Sequence, residues 1–310
     1  MTKYVAKRLL LLIPILIGVA FIIFTIMNLT PGDPAVRILG PDSTLEARQQ
    51  LRDQLGLNLP FWQRFFDYIA KIFTQLDFGN SYRTGKPVFD EIFNRLPVSI
   101  KVAFLGMILA TVMGLPLGVY SAVKQYSPAD GFLRVASTIL VAMPTFWLAM
   151  LLILIFALYL GWLPSGGVAT WQSYILPTIT VGVPYGSKIL RMTRSTMLEE
   201  IRQDYVRTAR SKGVPDKVVT YKHALKNALL PVITTIGSSF GAILGGSVIA
   251  ESVFNLPGLG SLIVLSIKAK DTPSVLASVL LLVFFFAIIM LIVDLVYAFI
   301  DPRIKAKYQK

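Results

Sequence analysis

The sequence predicts an all-α protein that crosses a membrane six times and keeps both termini on the cytoplasmic side. Of its 310 residues, 55% are hydrophobic and only 15% are charged, and the mean hydropathy of +0.66 is too high for an ordinary soluble domain. Six apolar runs are each long enough to cross about 30 Å of hydrocarbon as a helix. The net charge of +13 is concentrated in segments between these runs, which indicates their orientation.

The first apolar run follows three basic residues and is predicted to be an uncleaved helix. A signal peptide was the alternative, but the run exceeds the apolar length of a signal sequence, and residues 27–31 offer no small-residue cleavage site. Pro144 lies inside the third run, and the fourth run is the least apolar. The six predicted spans are 9–29, 100–123, 135–160, 174–192, 229–250 and 275–300.

Basic side chains identify the cytoplasmic side. Residues 1–8, 123–134, 188–228 and 301–310 together carry the whole net charge of +13, whereas residues 30–98 carry eight basic and eight acidic side chains and are neutral. Because positively charged loops stay in the cytoplasm, both termini and the 188–228 segment are predicted to lie inside. Topology therefore accounts for the basic balance, and no nucleic-acid partner is expected.

The external segment contains two predicted helices. Leucine spacing predicts one over residues 45–55, and an aromatic-rich run predicts another over residues 61–76. Either a cap of packed helices or a substrate-binding surface fits them. The predicted division of the chain is 1–29 for the N-terminus and first span, 30–98 for the external segment, and 99–310 for the membrane core with its cytoplasmic loop 195–228.

The fourth and fifth spans carry small and hydroxyl-bearing residues that a lipid-facing helix does not need. Gly237, Gly241 and Gly245 recur every four residues and place a smooth stripe on one helix face. Small residues allow close helix packing and hydroxyls need partners or water, so tight packing and a solute path both fit. The residues predicted to lie near such a path are Thr178, Thr180, Ser187, Thr234, Ser238 and Gly241.

No residue pattern supports catalysis, a metal site or a nucleotide site. The absence of cysteine and the presence of a single histidine exclude thiolate and multi-histidine metal sites. The segment from Gly79 has the wrong spacing for a phosphate-binding loop, and Pro87 stands where such a loop needs Ser or Thr. The only acid well inside a span is Asp294, for which a structural role is favoured. We therefore predict a non-enzyme without a cofactor of its own. A transport protein fits this pattern, and a channel or ion-coupled transporter without an ATPase is the alternative to one driven by ATP on a partner.

The cytoplasmic segment 195–228 is predicted to form a helix, a tight turn and a second helix at the membrane surface. Glu199 and Glu200 are predicted near the start of the first helix, with basic residues near its end, as suits the helix dipole. Gly213 is a predicted helix stop, and Pro215 can open the next helix. A solvated amphipathic hairpin also explains the charges, but it gives no reason for so long an ordered loop between two spans.

The same loop carries a family resemblance. DYVRTARSKG followed by HALKNALLP resembles the cytoplasmic loop of binding-protein-dependent ABC importers, in the version of the oligopeptide/dipeptide (nickel/glutathione) permease family. Aligned on Gly213, the pattern Glu-Ala-Ala-x-x-x-Gly falls on Arg207, Thr208 and Ala209, with arginine replacing the glutamate. Further motifs match in order along the chain: TPGDP, LGLNLP, LDFGNSYRTGKPV, GWLPSGG, RMTRSTMLE, LPGLG and VDLVYAFIDPRI.

The resemblance implies a type I ABC importer permease fold and a B-type permease subunit that imports peptides, glutathione or nickel chelates across a bacterial or archaeal inner membrane. The implied partners are a second homologous permease, an external solute-binding protein and two cytoplasmic ATPases, which hold the ATP and Mg²⁺. The implied ATPase contacts are Asp204, Arg207, Thr208, Ala209, Arg210, Gly213 and Pro215. The candidates for an outer gate or binding-protein contact, where a plain capping loop is equally open, are Glu251, Pro257, Gly258, Leu259 and Gly260.

Overall fold

The structure is a computed structural model that describes residues 2–300, and over that range it consists of helices and loops with one isolated β-bridge. The predicted cytoplasmic segment 301–310, with the end of the last family motif, lies outside the described residues. The helices are α1 Thr2–Leu29, α2 Pro34–Leu39, α3 Leu45–Gln54, α4 Phe61–Gln75, α5 Val88–Val123, α6 Pro128–Ala142, α7 Thr145–Leu152, α8 Ile175–Ile201, α9 Asp204–Ser211, α10 Asp216–Val218, α11 Leu225–Val253, α12 Leu259–Ala269 and α13 Thr272–Ile300.

Within residues 2–300, four helical segments are long and apolar enough to cross a membrane. They comprise α1, α5, the segment Asp216–Gly245 that includes most of α11, and α13. A bent pair of helices that begins with α6 makes a fifth candidate if it counts as one span. The predicted fourth span coincides with α8, which is not among these candidates. The structure therefore supports a helical membrane protein with four or five candidate spans.

The predicted third span is a bent pair of helices. α6 ends at Ala142, α7 begins at Thr145 and continues as a π-helical stretch to Tyr159, and the two parts are bent by 105°. Met143 between them is extended, with φ −72° and ψ 125°. Proline lacks a backbone N–H and disfavours helical backbone in the residue before it, so Pro144 breaks the helix here. The prediction of one continuous run was wrong in this respect.

One compact unit of the chain comprises residues 2–99 and 257–287. The two predicted external helices are confirmed as α3 and α4. The aromatic face of α4 packs on α1, where Phe65 lies 5.7 Å from Phe24 and Trp62 stacks on Phe21 at 5.7 Å between ring centroids. This packing buries Phe65, whereas Trp62 and Phe66 remain exposed.

Two consecutive charged residues tie the loops of this unit together. The buried Lys270 ammonium donates a hydrogen bond to the Thr30 carbonyl, and the fully buried Asp271 accepts hydrogen bonds from the Ser81 hydroxyl and the Tyr82 N–H. Unpaired buried charges would be costly, and these bonds satisfy both. The motifs TPGDP and LDFGNSYRTGKPV are therefore anchored to the residues just before α13.

The other unit comprises residues 100–256 and the chain from residue 288 onward. Here α5 and α8 pack backbone against backbone, because a Cβ on Gly114 would lie 2.4 Å from the Gly186 carbonyl oxygen. The small-residue stripe of the fifth span also serves packing, since a Cβ on Gly237 would lie 2.2 Å from the Val293 side chain. The glycines of α5 were not singled out from the sequence.

Candidate functional site

The predicted cytoplasmic loop follows α8, the helix that coincides with the predicted fourth span. α8 runs on to Ile201, Gln203 is extended with φ −69° and ψ 151°, and α9 starts at the next residue. Glu199 and Glu200 therefore lie in the last turn of α8, and their predicted position at the start of the loop helix was wrong. The Glu200 carboxylate instead accepts a hydrogen bond from the Tyr205 hydroxyl across the break.

Tyr205 joins three elements of the loop. Besides its bond to Glu200, its hydroxyl oxygen accepts a hydrogen bond from the Asn227 side-chain amide at 2.9 Å, which links the end of α8, α9 and the start of α11. Burial and the bond to Glu200 raise the pKa of Tyr205 above its usual value. The phenol therefore stays protonated at neutral pH and keeps donating.

α9 has one side turned to the protein and one turned to solvent. Val206 is fully buried and Ala209 is half-buried, and both belong to an apolar cluster with Met197. On the other side, Arg207 and Thr208 are exposed. Ala209, an implied ATPase contact, is only partly exposed, because its side chain also packs on the chain's own cluster. The apolar side of α9 is therefore packed against the protein, and its polar side is exposed to solvent.

The predicted stop at Gly213 is confirmed with all the hydrogen bonds of a left-handed helix end. Gly213 has φ +77°, its N–H bonds to the Arg210 carbonyl at 2.9 Å, and the Val214 N–H bonds to the Ala209 carbonyl at 3.2 Å. Val214 also packs on the apolar cluster behind α9. Pro215 directly precedes α10. The direction of the chain after α9 is therefore set by one residue with positive φ.

The charges on the exposed side of the loop are only loosely engaged. Arg207 lies 3.9 Å from Asp204, and Arg210 lies 3.2 Å from Asp216. Ion pairs at such exposed positions contribute about 0–1 kcal/mol, so they fix the side chains weakly. These basic side chains remain able to meet a partner that docks on α9.

A buried ion pair between Asp130 and Arg194 was not predicted from the sequence. The Asp130 side chain is 0% exposed, and the Arg194 guanidinium grips it with two hydrogen bonds of 2.7 and 3.0 Å. Asp130 also accepts bonds from the Ser121 hydroxyl at 2.5 Å and from the Tyr126 N–H at 3.0 Å. This carboxylate therefore ties the end of α5, the turn after it and the start of α6 to α8.

A local sequence signal for Asp130 was available. Ser127 caps α6 by accepting the Asp130 N–H at 3.2 Å, so SPAD forms the spacing of a helix-capping box. Nothing local points to Arg194, which lies 64 residues away. The arrangement places a rigid charged anchor on the same helix, α8, that runs directly into α9.

The residues predicted near a path lie on two helices, α8 and α11, that pack on each other. Thr180 and Ser187 are buried, Ser238 is half-buried, and Thr234 is exposed. Within residues 2–300, the buried hydroxyls of Thr178, Thr180 and nearby Ser239 have no hydrogen-bond partner. Buried hydroxyls normally need one, and these hydroxyls have no surface accessible to a solute in this conformation. Gly241 is buried, as expected of a packing residue.

The candidates for an outer gate are mostly inside the protein. Glu251 is fully buried and accepts a hydrogen bond from Ser247 at 3.1 Å. Leu259 is 0% exposed, packs in an apolar cluster and starts α12, which was expected to be loop. Gly258 and Gly260 are buried too, which leaves Pro257 as the exposed member of the set. Leu259 is therefore not available for the surface contact expected of it.

The chain matches a known protein family over most of its length. The family described as "Binding-protein-dependent transport system inner membrane component" matches residues 114–306, and its N-terminal companion matches residues 1–103. The chain is 41% identical over 307 residues to the glutathione transport system permease protein GsiC of Escherichia coli K12, covering 99% of this chain and 100% of that protein. The corresponding protein of Salmonella choleraesuis is 43% identical over 310 residues, with the same coverage.

Solved structures agree at the level of the fold. The chain is similar to an inward-facing MetNI methionine ABC transporter, with a TM-score of 0.59 and 19% identity over 69% of this chain and 97% of that one. An amino acid ABC transporter with histidines gives a TM-score of 0.55 and 14% identity over 67% and 94%. About two thirds of the chain therefore has the fold of these ABC transporter chains.

The fold and the loop define a multi-pass helical membrane subunit with one short helix, α9, whose polar side is exposed. The chain belongs to the binding-protein-dependent transport system inner membrane component family. It is a permease subunit of a binding-protein-dependent ABC importer, as the resemblance predicted. The alternative, a channel or ion-coupled transporter without an ATPase, is not supported.

Proposed function

We propose that this permease imports glutathione or other short peptides. It forms half of the transport path with a second homologous permease, receives substrate from an external solute-binding protein, and is driven by two ATPase subunits. ATP and Mg²⁺ belong to those ATPases, and this chain needs no cofactor. The observation that carries the substrate class is the similarity of 41–43% over 99% of the chain to permeases named for glutathione transport.

The exposed side of α9 is the proposed seat of the ATPase. Asp204, Arg207, Thr208 and Arg210 offer it polar and charged groups, and Gly213 sets where the helix ends. Since α9 is packed from behind by Val206, a push on it is transmitted to α8 rather than absorbed by a flexible loop. The buried hydroxyls of α8 and α11 form the proposed path.

The substrate class is tested on the reconstituted complex with its own binding protein. Glutathione, a dipeptide and a nickel chelate are each screened for thermal stabilisation of the binding protein, and the stabilising compounds are then assayed for uptake into proteoliposomes. We expect glutathione or the peptide to be taken up only with hydrolysable ATP. Uptake of the nickel chelate alone would contradict the proposed substrate. Uptake without ATP would contradict the proposal that ATP hydrolysis powers transport.

The proposed topology has six spans, with both termini and α9 in the cytoplasm. It requires α8 to cross the membrane despite its polar residues, and it follows from the whole net charge of +13 lying in the segments assigned to the inside. Reporter tags inserted at residue 60 and at residue 203 are expected to lie on opposite sides of the membrane. Finding both tags on one side would contradict this topology.

A further inference from the structure

A polar cleft of about 610 Å³ lies in the unit formed by residues 2–99 and 257–287. Its volume is within the range of about 300–1,000 Å³ that small-molecule sites occupy. Phe24 and Met27 give it an apolar wall, and Asn28 and Asn58 contribute amide groups. None of the functions assigned so far to the helices of this unit uses this space.

Three cationic side chains line the cleft, and its one carboxylate is already engaged. Asp33 accepts the Arg52 guanidinium on one oxygen, at 2.7 and 3.0 Å. Its other oxygen accepts the Ala35 N–H at 3.0 Å and caps α2. Arg52 and Asp33 therefore neutralise each other, and the other two cationic side chains give the cleft a net positive charge.

Arg64 and Lys270 are those remaining cations, and within residues 2–300 neither forms a salt bridge with a carboxylate. Arg64 donates one hydrogen bond, to Asn28 at 3.2 Å, and lies over the Phe24 ring at 5.5 Å, so most of its five donors remain. Lys270 spends donors on two backbone carbonyls, including that of Gly32 at 2.5 Å. Burial lowers the pKa of Lys270, with nearby Arg37 adding to the effect.

We propose that this cleft binds a carboxylate of the peptide that the importer carries, with Arg64 as the principal contact. A guanidinium matches a carboxylate with two parallel hydrogen bonds, and surplus positive charge at a cleft of this size favours an anionic ligand. The Asn28 and Asn58 amides suit the peptide bonds of the same ligand. The inference rests on the proposed function, because it takes a short peptide as the substrate.

The test compares Arg64→Gln with Arg64→Lys in the full complex, using glutathione and its diamide, in which both carboxylates are replaced by neutral amides. The uptake ratio of the two compounds is measured for each variant at saturating binding protein. Because the binding protein is the same throughout, its own preference cancels between variants. We expect Arg64→Gln to lower the glutathione-to-diamide ratio by about tenfold and Arg64→Lys to keep most of it.

Equal losses for both compounds would overturn the proposal, because they would indicate a structural role or a contact with an acidic side chain of the binding protein. An unchanged ratio in Arg64→Gln would overturn it as well. Binding of glutathione to the complex in nanodiscs is also measured directly, by saturation-transfer NMR without ATP. This measurement tests binding in the cleft independently of transport. If the wild type imports neither compound, the proposed substrate fails, and loss or retention of this signal in Arg64→Gln still decides the cleft.

Discussion

Replacement of Gly213 by valine is expected to abolish the ATP hydrolysis that loaded binding protein stimulates, while the complex still assembles and hydrolyses ATP at its basal rate. Gly213 has φ +77°, and its turn carries both hydrogen bonds that end α9. A left-handed conformation costs an ordinary residue about 1–2 kcal/mol, and a β-branched one more. The turn therefore changes shape, and the exposed side of α9 no longer meets its proposed ATPase seat. The measurements are stimulated and basal hydrolysis in proteoliposomes.

Two controls show which property of Gly213 matters. Lys212→Ala removes one exposed charge, usually worth less than about 1 kcal/mol, and is expected to leave stimulation nearly intact. Gly213→Asn tests the backbone, since asparagine tolerates positive φ and, apart from the adjoining residues, no atom of residues 2–300 lies within 4 Å of a Cβ at this position. We expect asparagine to retain most of the stimulation. Normal transport by the valine variant would mean that α9 is not the coupling element.

The features that the sequence predicted well depend on neighbours along the chain. The stop at Gly213 needs only a glycine after a helical stretch, and α3 begins where Thr44 caps it by accepting the Ala47 N–H at 3.2 Å. The aromatic spacing of α4 likewise belongs to a single helix. The apolar runs likewise coincide with the four or five candidate spans of the structure, whereas α8 is too polar to be among them.

The features that were missed depend on contacts between distant segments. Asp130 and Arg194 both entered the charge count that gave the topology, but the count records the sign of a charge and not its partner. Leu259 lies in a motif rich in turn residues, yet packing against residues such as Val88 buries it. Glu199 was misplaced because α8 runs without a break to Ile201, beyond residue 192 where the predicted span ends. Tertiary packing decides the ion pair and the burial of Leu259, whereas the Glu199 error concerns where a single helix ends.

Replacement of Arg194 by methionine is expected to cost the subunit about 3–5 kcal/mol of stability, because it leaves the buried Asp130 carboxylate without its main counter-charge. The two hydrogen bonds of 2.7 and 3.0 Å and the 0% exposure of Asp130 place this pair among those that are strongly destabilised by losing one partner. Since Arg194 lies on α8, which leads into α9, transport is expected to fall with stability. The melting temperature of the purified complex and ATP-driven uptake measure the two effects.

Arg134 provides a matched control, because it approaches the same carboxylate at 3.7 Å from a side chain that is 55% exposed. Arg134→Met is expected to cost less than about 1 kcal/mol, as exposed ion pairs do. The double variant Asp130→Asn with Arg194→Met removes both charges, and it is expected to be more stable than Arg194→Met alone. If Arg134→Met destabilises the complex as much as Arg194→Met, or if the double variant gains nothing, the buried pair is not the anchor between α6 and α8.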